Sequence, residues 1–534
     1  MGTVALHDLA MRKLGSTWFV KVIPRGLLFQ LDGASACLWD SLLVNVNEQA
    51  AVEAFVAHYG GHPEARADAP ELLTAFRANG LLYGLSQMVG PANTEWSHAE
   101  YISNGQGADS SVIQDVMYQK ALALRQPLLV EYEMTYHCNL RCLYCYQPTQ
   151  LKHERRDELT PDEISRMLDD FAGAGVFYLI VTGGECTLNR NFAHVVREAR
   201  ARLMDVSVLT NATSLKPATI ELMASAPVSE VKVSIYGSNG SQYGAFTGFA
   251  SAYQKVMDNL VKLRQSGVRV IAKVIVTSMQ KDTFRDSLAQ LKELGIESEV
   301  SAHVMPAMDG ATYPLQYRLD TTTLTTLFKE RRIRVAAGRA CTAGTVKFRV
   351  DPEGFVNACE LQRTPLGNIR KQRILDILSA QVNTELVGTL VSAGRRAQNN
   401  AATKALPCPA LGKLEHGSWE EPAVEAVRWT AAADSAELSM SVGQERMELI
   451  RGVVYTEVEQ HLGVSCAGLP DTQKFSESPI GMDSLDFMEF LMHVSARLDI
   501  DVPSDERLDG LMTIGGMVSR LCQLLDDNAL GVST

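Results

Sequence analysis

Three cysteines fall within eight residues, in Cys138-Asn139-Leu140-Arg141-Cys142-Leu143-Tyr144-Cys145. The spacing is C-x3-C-x2-C. Three thiolates so spaced can hold three irons of a cubic [4Fe–4S] cluster. The fourth iron is then open to the amine and carboxylate groups of a small molecule. A zinc ion is the other reading, but it wants a fourth ligand, and His137 is the only local one. A second set is Cys341 and Cys359, with Cys408 further on. Between the first two, Val346–Val350, the turn Asp351-Pro352-Glu353-Gly354 and Phe355-Val356 predict a hairpin, which would return the chain and bring distant thiols together.

The chain that carries these groups has 534 residues and a net charge of −12. An acidic chain lacks the basic footprint that nucleic-acid phosphates need. No run of about 18 apolar residues offers a membrane span. The start, Met1 to His7, lacks the basic and apolar regions of a secretory signal. The ten cysteines therefore read as metal or catalytic ligands before disulfides, and the cytoplasm is the expected compartment. Roughly 100–200 residues per domain implies three to five domains. From Ser441 to Thr534, sixteen acids against six bases give −10, a composition break that marks a separate C-terminal domain.

The cysteine loop needs a scaffold. From about Pro127 strands alternate with helical patterns. Strands are predicted at Leu128–Tyr132, Phe177–Thr182, Val206–Leu209, Glu230–Ile235, Arg269–Val276 and Glu299–Val304. Thr160, Pro161 and Glu163 open a helix. Others are predicted at Asn191–Leu203, Ala252–Gln265 and Phe284–Leu294. Six βα repeats are too few for an eight-fold barrel and predict an open, partial one, with its site at the C-terminal strand ends. The cysteine loop follows the first strand, and Thr182-Gly183-Gly184-Glu185 ends the second.

The loop resembles that of the radical S-adenosylmethionine (SAM) superfamily, with aromatic Tyr144 before the third cysteine. Gly183-Gly184-Glu185 resembles the segment that receives the SAM amino group, and Ser234 stands where the family often meets the SAM carboxylate or ribose. The family usually has Pro after that Glu; here it is Cys186, either a small buried residue or a hydrogen-atom donor. The resemblance implies a partial (β/α)6 barrel, a [4Fe–4S] cluster on Cys138, Cys142 and Cys145, and one-electron cleavage of SAM to a 5′-deoxyadenosyl radical. It also implies an electron donor such as flavodoxin or ferredoxin. The set Cys341, Cys359 and Cys408 resembles the auxiliary-cluster extension called SPASM, or its shorter form Twitch. It implies at most a second [4Fe–4S] cluster, with a fourth site open or filled by a group such as His416. Leu411 stands where Twitch would repeat a cysteine.

At the C-terminus, Ile450, Val454 and Val458, then Leu491 and Val494, then Met517 and Leu521 give helical stripes. Gly481-Met482-Asp483-Ser484-Leu485 resembles an acyl or peptidyl carrier protein. That implies 4′-phosphopantetheine on Ser484, a phosphopantetheinyl transferase as partner, and a four-helix bundle. At the N-terminus, Trp18–Val22, the turn Pro24-Arg25-Gly26, Gly26–Leu31 and helical patterns at 34–46, 48–58 and 70–81 resemble the winged-helix-like peptide-recognition (PqqD-like) module of ribosomal-peptide modification. Such a module takes a leader peptide by strand addition. The resulting division is a peptide-recognition module at 1–90, a linker at 91–126, the barrel at 127–330, the extension at 331–412, a linker at 413–440 and the carrier at 441–534.

Three functions follow. The first is radical modification of a precursor peptide, by crosslink, epimerisation or a related change. The second is radical modification of an amino acyl or acyl group tethered to the carrier. The third is an inactive carrier scaffold, against which the intact cysteines and the intact Gly-Gly-Glu segment argue.

Overall fold

The computed structural model describes residues 8–45, 47–82, 110–148, 151, 157–330, 332–333, 341–400, 402, 406, 408–416, 423–435, 450–459, 464–466, 469–470, 472–477, 480, 482, 487, 490–491, 494, 498, 513–518 and 521. The chain forms two compact units, Met1–Ala336 with Ala340–Ala436, and Ala337–Arg339 with Glu437–Thr534.

The first unit opens with an antiparallel sheet of β1 (Leu9–Leu14), β2 (Thr17–Val22) and β3 (Leu27–Leu31), followed by α1 (Gly33–Val44), α2 (Glu48–His58) and α3 (Pro63–Ala78). β1 has no counterpart in the sequence reading, because Arg12 and Lys13 break its alternation. α3 begins at Pro63 rather than Pro70, which lies inside the helix. Trp39, Phe55, Leu73 and Phe76 close a core between sheet and helices. Helix α4 (Ser110–Ala123) occupies the second half of the expected linker 91–126. Its Met117 and Ala121 are buried with Leu14, Phe19 and Leu28 of the sheet and with Leu128 and Phe177, which precede barrel strands. Arg12 donates to the carbonyls of Val176 and Arg202, Arg200 to that of Leu9, and Lys21 pairs with Asp205 at 2.6 Å. All these barrel residues lie at the N-terminal ends of their strands, so the small sheet docks on the end of the barrel away from the cysteine loop.

β4 (Leu129–Glu133), β5 (Tyr178–Thr182), β6 (Asp205–Thr210), β7 (Glu230–Ile235), β8 (Val270–Ile275) and β9 (Glu297–Ser301) are parallel and paired in sequence order. Between them run α5 (Pro161–Ala174), α6 (Phe192–Ala201), α7 (Pro217–Ser225), α8 (Gly240–Thr247), α9 (Ala252–Gln265) and α10 (Phe284–Glu293). Thr160 and Glu163 form the reciprocal cap that starts α5, and Gly175, at φ 98, ends it. One face of the sheet is apolar, with Val130, Tyr132, Leu179, Val181, Val208, Val233 and Val274 buried. The other is charged, with Glu131, Glu133, Lys232, Lys273 and Glu299 at alternate positions.

The extension belongs to the same sheet. β10 (Lys347–Val350) pairs parallel with β4, and β11 (Phe355–Asn357) and β12 (Gly367–Asn368) follow antiparallel, making nine strands. Gly354, at φ 84, turns the predicted hairpin. Helices α11 (Thr321–Lys329), α12 (Ile374–Ser379), α13 (Gln381–Asn399), α14 (Pro409–His416) and α15 (Val424–Ser435) complete the unit. The last two place helix within the linker expected at 413–440. Trp429 of α15 is buried, stacks on His303 at 4.4 Å and meets Phe328 of α11 edge-on. That burial holds an Ala-rich segment helical.

In the second unit Ile450, Val454, Val458, Leu491, Val494, Met517 and Leu521 share one buried core with Phe475, Phe487 and Phe490. Cys466 packs within it. Ser484 lies outside the described residues. Among the described residues no helix is long and apolar enough to cross a membrane.

Candidate functional site

The C-terminal ends of β4, β5, β6 and β7 converge on the cysteine loop. The loop is locked to β5 by backbone bonds: Gly184 N–H donates to Thr135, and Glu185 N–H to His137. A Cβ on Gly183 would stand 2.4 Å from the Thr135 carbonyl oxygen, and one on Gly184 2.4 Å from that of His137. These two glycines therefore admit the cysteine loop itself. α8 supports the other side, where Arg141 N–H bonds Thr247 O and Leu143 N–H bonds Phe246 O.

Cys138, Cys142 and Cys145 are half-buried and in no disulfide. A tetrahedral zinc with Zn–S bonds of about 2.3 Å brings its sulfurs within about 4 Å of one another. Among the described residues no three His, Cys, Asp or Glu side chains are grouped as ligands of a single metal ion. A cubic cluster holds one iron per thiolate and does not require it. Three half-buried thiols on one anchored loop fit the larger group.

Glu185 is 1% exposed. Its carboxylate accepts from the Thr187 hydroxyl at 2.5 Å, the Thr210 hydroxyl at 2.5 Å and Asn211 N–H at 2.7 Å. Burial raises its pKa against the pull of these bonds. The side chain expected to meet an ammonium thus also ties β5 to β6. Cys186 is fully buried, and its thiol donates to the Leu209 carbonyl at 3.2 Å. Burial pushes that thiol well above its usual pKa. This burial is what the packing reading of Cys186 expects. Tyr144 sits against Phe246 and Tyr236 at 5.3 and 6.1 Å between ring centres. Tyr236, two residues after Ser234, is thus in ring contact with Tyr144.

Several residues at the site carry no spacing signal in the sequence. Asn211 donates to Asn139 at 2.9 Å and comes to 3.9 Å of Cys138 Sγ. Glu133, fully buried just before the loop, accepts from Arg349 and Arg363 at 2.8 Å each and from Tyr146 at 2.9 Å. Burial opposes its charge, but the two guanidiniums hold its pKa below the usual carboxylate range. Acids at alternate positions of a barrel strand were the only cue.

Cys341, Cys359 and Cys408 are half-buried. Burial raises all three thiols, Cys359 to about 11, and the Glu360 carboxylate pushes each up further. Cys408 also feels Cys359 and Cys341, so the hairpin and α14 gather the three into one neighbourhood. The structure describes no side chain at His416.

Comparison with known proteins agrees with this geometry. Residues 132–294 match the Radical SAM superfamily, and residues 453–521 the phosphopantetheine attachment site. The PqqA peptide cyclase of Rhodopseudomonas palustris is 25% identical over 270 residues, 45% of this chain and 69% of that protein. The AdoMet-dependent heme synthase of Methanosarcina barkeri is 28% identical over 169 residues, 32% of this chain and 48% of that protein. The chain thus spans between 48% and 69% of the length of these relatives. The crystal structure of Streptococcus suis SuiB bound to S-adenosylmethionine shares the fold, with a TM-score of 0.51 at 13% identity over 79% of this chain and 98% of that one. The chain carries a radical SAM domain at residues 132–294 and a phosphopantetheine attachment domain at residues 453–521.

Proposed function

We propose that this protein is a radical SAM enzyme that modifies a peptide, with a phosphopantetheine arm on Ser484 of the carrier. The observation that carries the reading is the three-thiol loop seated on Gly183-Gly184-Glu185 at adjacent strand ends. When bound there, a [4Fe–4S] cluster supplies one electron to SAM. The chain's own residues do the rest. Cys138, Cys142 and Cys145 would hold the cluster, and Asn211 orients Cys138. Tyr144, Ser234 and Tyr236 line the approach to it. The Cys341, Cys359 and Cys408 neighbourhood would hold a second cluster. A peptide-modifying role is supported by the PqqA peptide cyclase among the relatives. It also fits a three-strand, three-helix N-terminal module of the kind that takes a leader peptide by strand addition.

A second reading is that the modified group is carried on Ser484 as a thioester, which the attachment domain favours. Intact-protein mass measurement of the anaerobically purified chain separates the two. A loaded arm supports carrier-borne chemistry, and an unmodified Ser484 leaves the peptide reading ahead. Retention of full SAM cleavage by Cys142→Ala would end both.

A further inference from the structure

β9 ends the nine-stranded sheet, and a cavity of about 520 Å³ opens beside it. That is the size of a small-molecule site. Its charged lining is Lys273 of β8, Glu299 of β9 and Arg332. Ser301 and His303 line it too, and Trp429, stacked on His303, forms one wall. Lys273 is the register partner of Ser234 on one side and of Glu299 on the other. Neighbouring strands lie about 4.8 Å apart, so Lys273 stands one strand from the expected SAM contact. It is loosely held. Among the described residues its one carboxylate within 4 Å is Glu299, at 3.9 Å, and Glu299 lies nearer to Lys232, at 3.4 Å. Glu131 and Glu360 act on Lys273 from farther off, but Lys347 engages both, at 2.7 and 3.5 Å. Arg332 meets Glu330 at 3.9 Å, a carboxylate that also takes Arg285. Burial lowers the Lys273 pKa, and an anion beside the amine would offset that cost. His303, its pKa lowered to about 4, is neutral at pH 7 and still presents one N–H. Donors thus crowd around a single carboxylate that is already shared.

We propose that this cavity binds a carboxylate of the substrate, with Lys273 as its ionic partner and Arg332, Ser301 and His303 as further donors. The inference rests on the radical reading above and deepens it, because it names a group that the substrate presents one strand from SAM. A lysine is a point charge on a flexible stem, so Lys273 can turn to a ligand without breaking a close pair. Glu299 works against the ligand, since it competes for the same ammonium and repels a second anion. No bond forms or breaks in this step.

The test is ligand-observed NMR on the full chain with reconstituted iron. Three probes are compared. N-acetylglutamate α-amide carries its carboxylate on the side chain, N-acetylglutamine carries it on the main chain, and N-acetylglutamine amide has none. A charged probe binds about tenfold tighter than the neutral one. Which charged probe it is tells whether the substrate offers an acidic side chain or a chain end. Lys273→Met, close in length, weakens that probe about tenfold and flattens its salt dependence. Glu299→Gln tightens it several-fold. The opposite signs separate a ligand contact from a structural pair, whose two halves would act alike. Lys262→Gln, exposed on α9, is the control and binds as the wild type does. Equal binding of charged and neutral probes by the wild type would overturn the proposal. So would a charged probe that Glu299→Gln weakens. SAM cleavage is read on the same preparation, so a failed radical reading shows as lost cleavage and a failed cavity as lost charge preference.

Discussion

Arg363 Nη1 lies 2.8 Å from Glu133 Oε2, joining the turn after Cys359 to the strand that enters the cysteine loop. Arg349 and Tyr146 reach the same carboxylate, and both guanidiniums lie within 6 Å of the Tyr146 ring centre. Tyr146 follows Cys145 directly. One buried carboxylate thus fixes both thiol neighbourhoods.

Removing Glu133 leaves two buried guanidiniums short of a partner. Glu133→Ala is expected to cost about 3–5 kcal/mol, the range for breaking a buried pair. The denaturation midpoint of the barrel should fall accordingly. Glu133→Gln, which keeps an acceptor, should cost less. Equal midpoints for wild type and Glu133→Ala would show that the network carries no net energy.

Gly184→Ala forces a Cβ to 2.4 Å from the His137 carbonyl oxygen and 2.5 Å from that of Tyr136. The cysteine loop has to move off β5, so iron bound per chain after reconstitution should drop. Gly388→Ala, in α13 with nothing within 4 Å, is the control. There the substitution should be neutral or stabilising by roughly 0.5–1 kcal/mol.

Glu185→Gln separates two roles of that side chain. If its carboxylate fastens β5 to β6, the variant loses stability and iron while its affinity for SAM changes less than about threefold. A tenfold weaker affinity in a fully stable variant would instead restore the ammonium contact. Cys186→Ala belongs with it: a loss of about 1–2 kcal/mol for a small buried cavity, with SAM cleavage and product unchanged. Normal cleavage without product would return Cys186 to the chemistry.

His303 gives the fold a pH dependence. Burial, with the nearby Lys273 charge, lowers its pKa to about 4, from about 6.5 when unfolded. Between those values the unfolded chain binds the extra proton. The contribution of neutral His303 is therefore whole above pH about 6.5 and is lost as pH falls toward 4. His303 keeps an exposed edge, so solvent screening leaves this contribution well short of the full shift. The stability of His303→Phe, which keeps a ring on Trp429, should slope less over that window. An unchanged slope would assign the dependence to other groups. Glu133, with its depressed pKa, acts lower, losing its contribution as pH falls below the ordinary carboxylate value.

The barrel was legible because its strands are apolar runs between capped helices. Thr160 and Glu163 announce α5, and the glycine pair marks the end of β5. Partners were not legible. Nothing in Lys347–Val350 says that it pairs with β4, since periodicity gives a strand but not its neighbour. Asn211, Glu133 and Arg363 act through contacts made across 72 to 230 residues of sequence. Helix α15 was hidden by its Ala-rich composition and is explained by the burial of Trp429, while α13 buries Val387, Leu390 and Ala393.

The N-terminal sheet holds the barrel by Val176, Arg202 and Asp205, at the foot of the strands whose tops carry the thiols. A strand rises about 3.3 Å per residue, so the five residues of β5 and the short turns at its ends separate the two by roughly 20 Å. On the peptide reading proposed above, a leader peptide added to that sheet would climb that height before any of its atoms met the chemistry. On that reading the fold is a ruler. Segments closer to the grip than about six extended residues are out of reach, and the first position that can be altered is set by architecture before side-chain preference has a say.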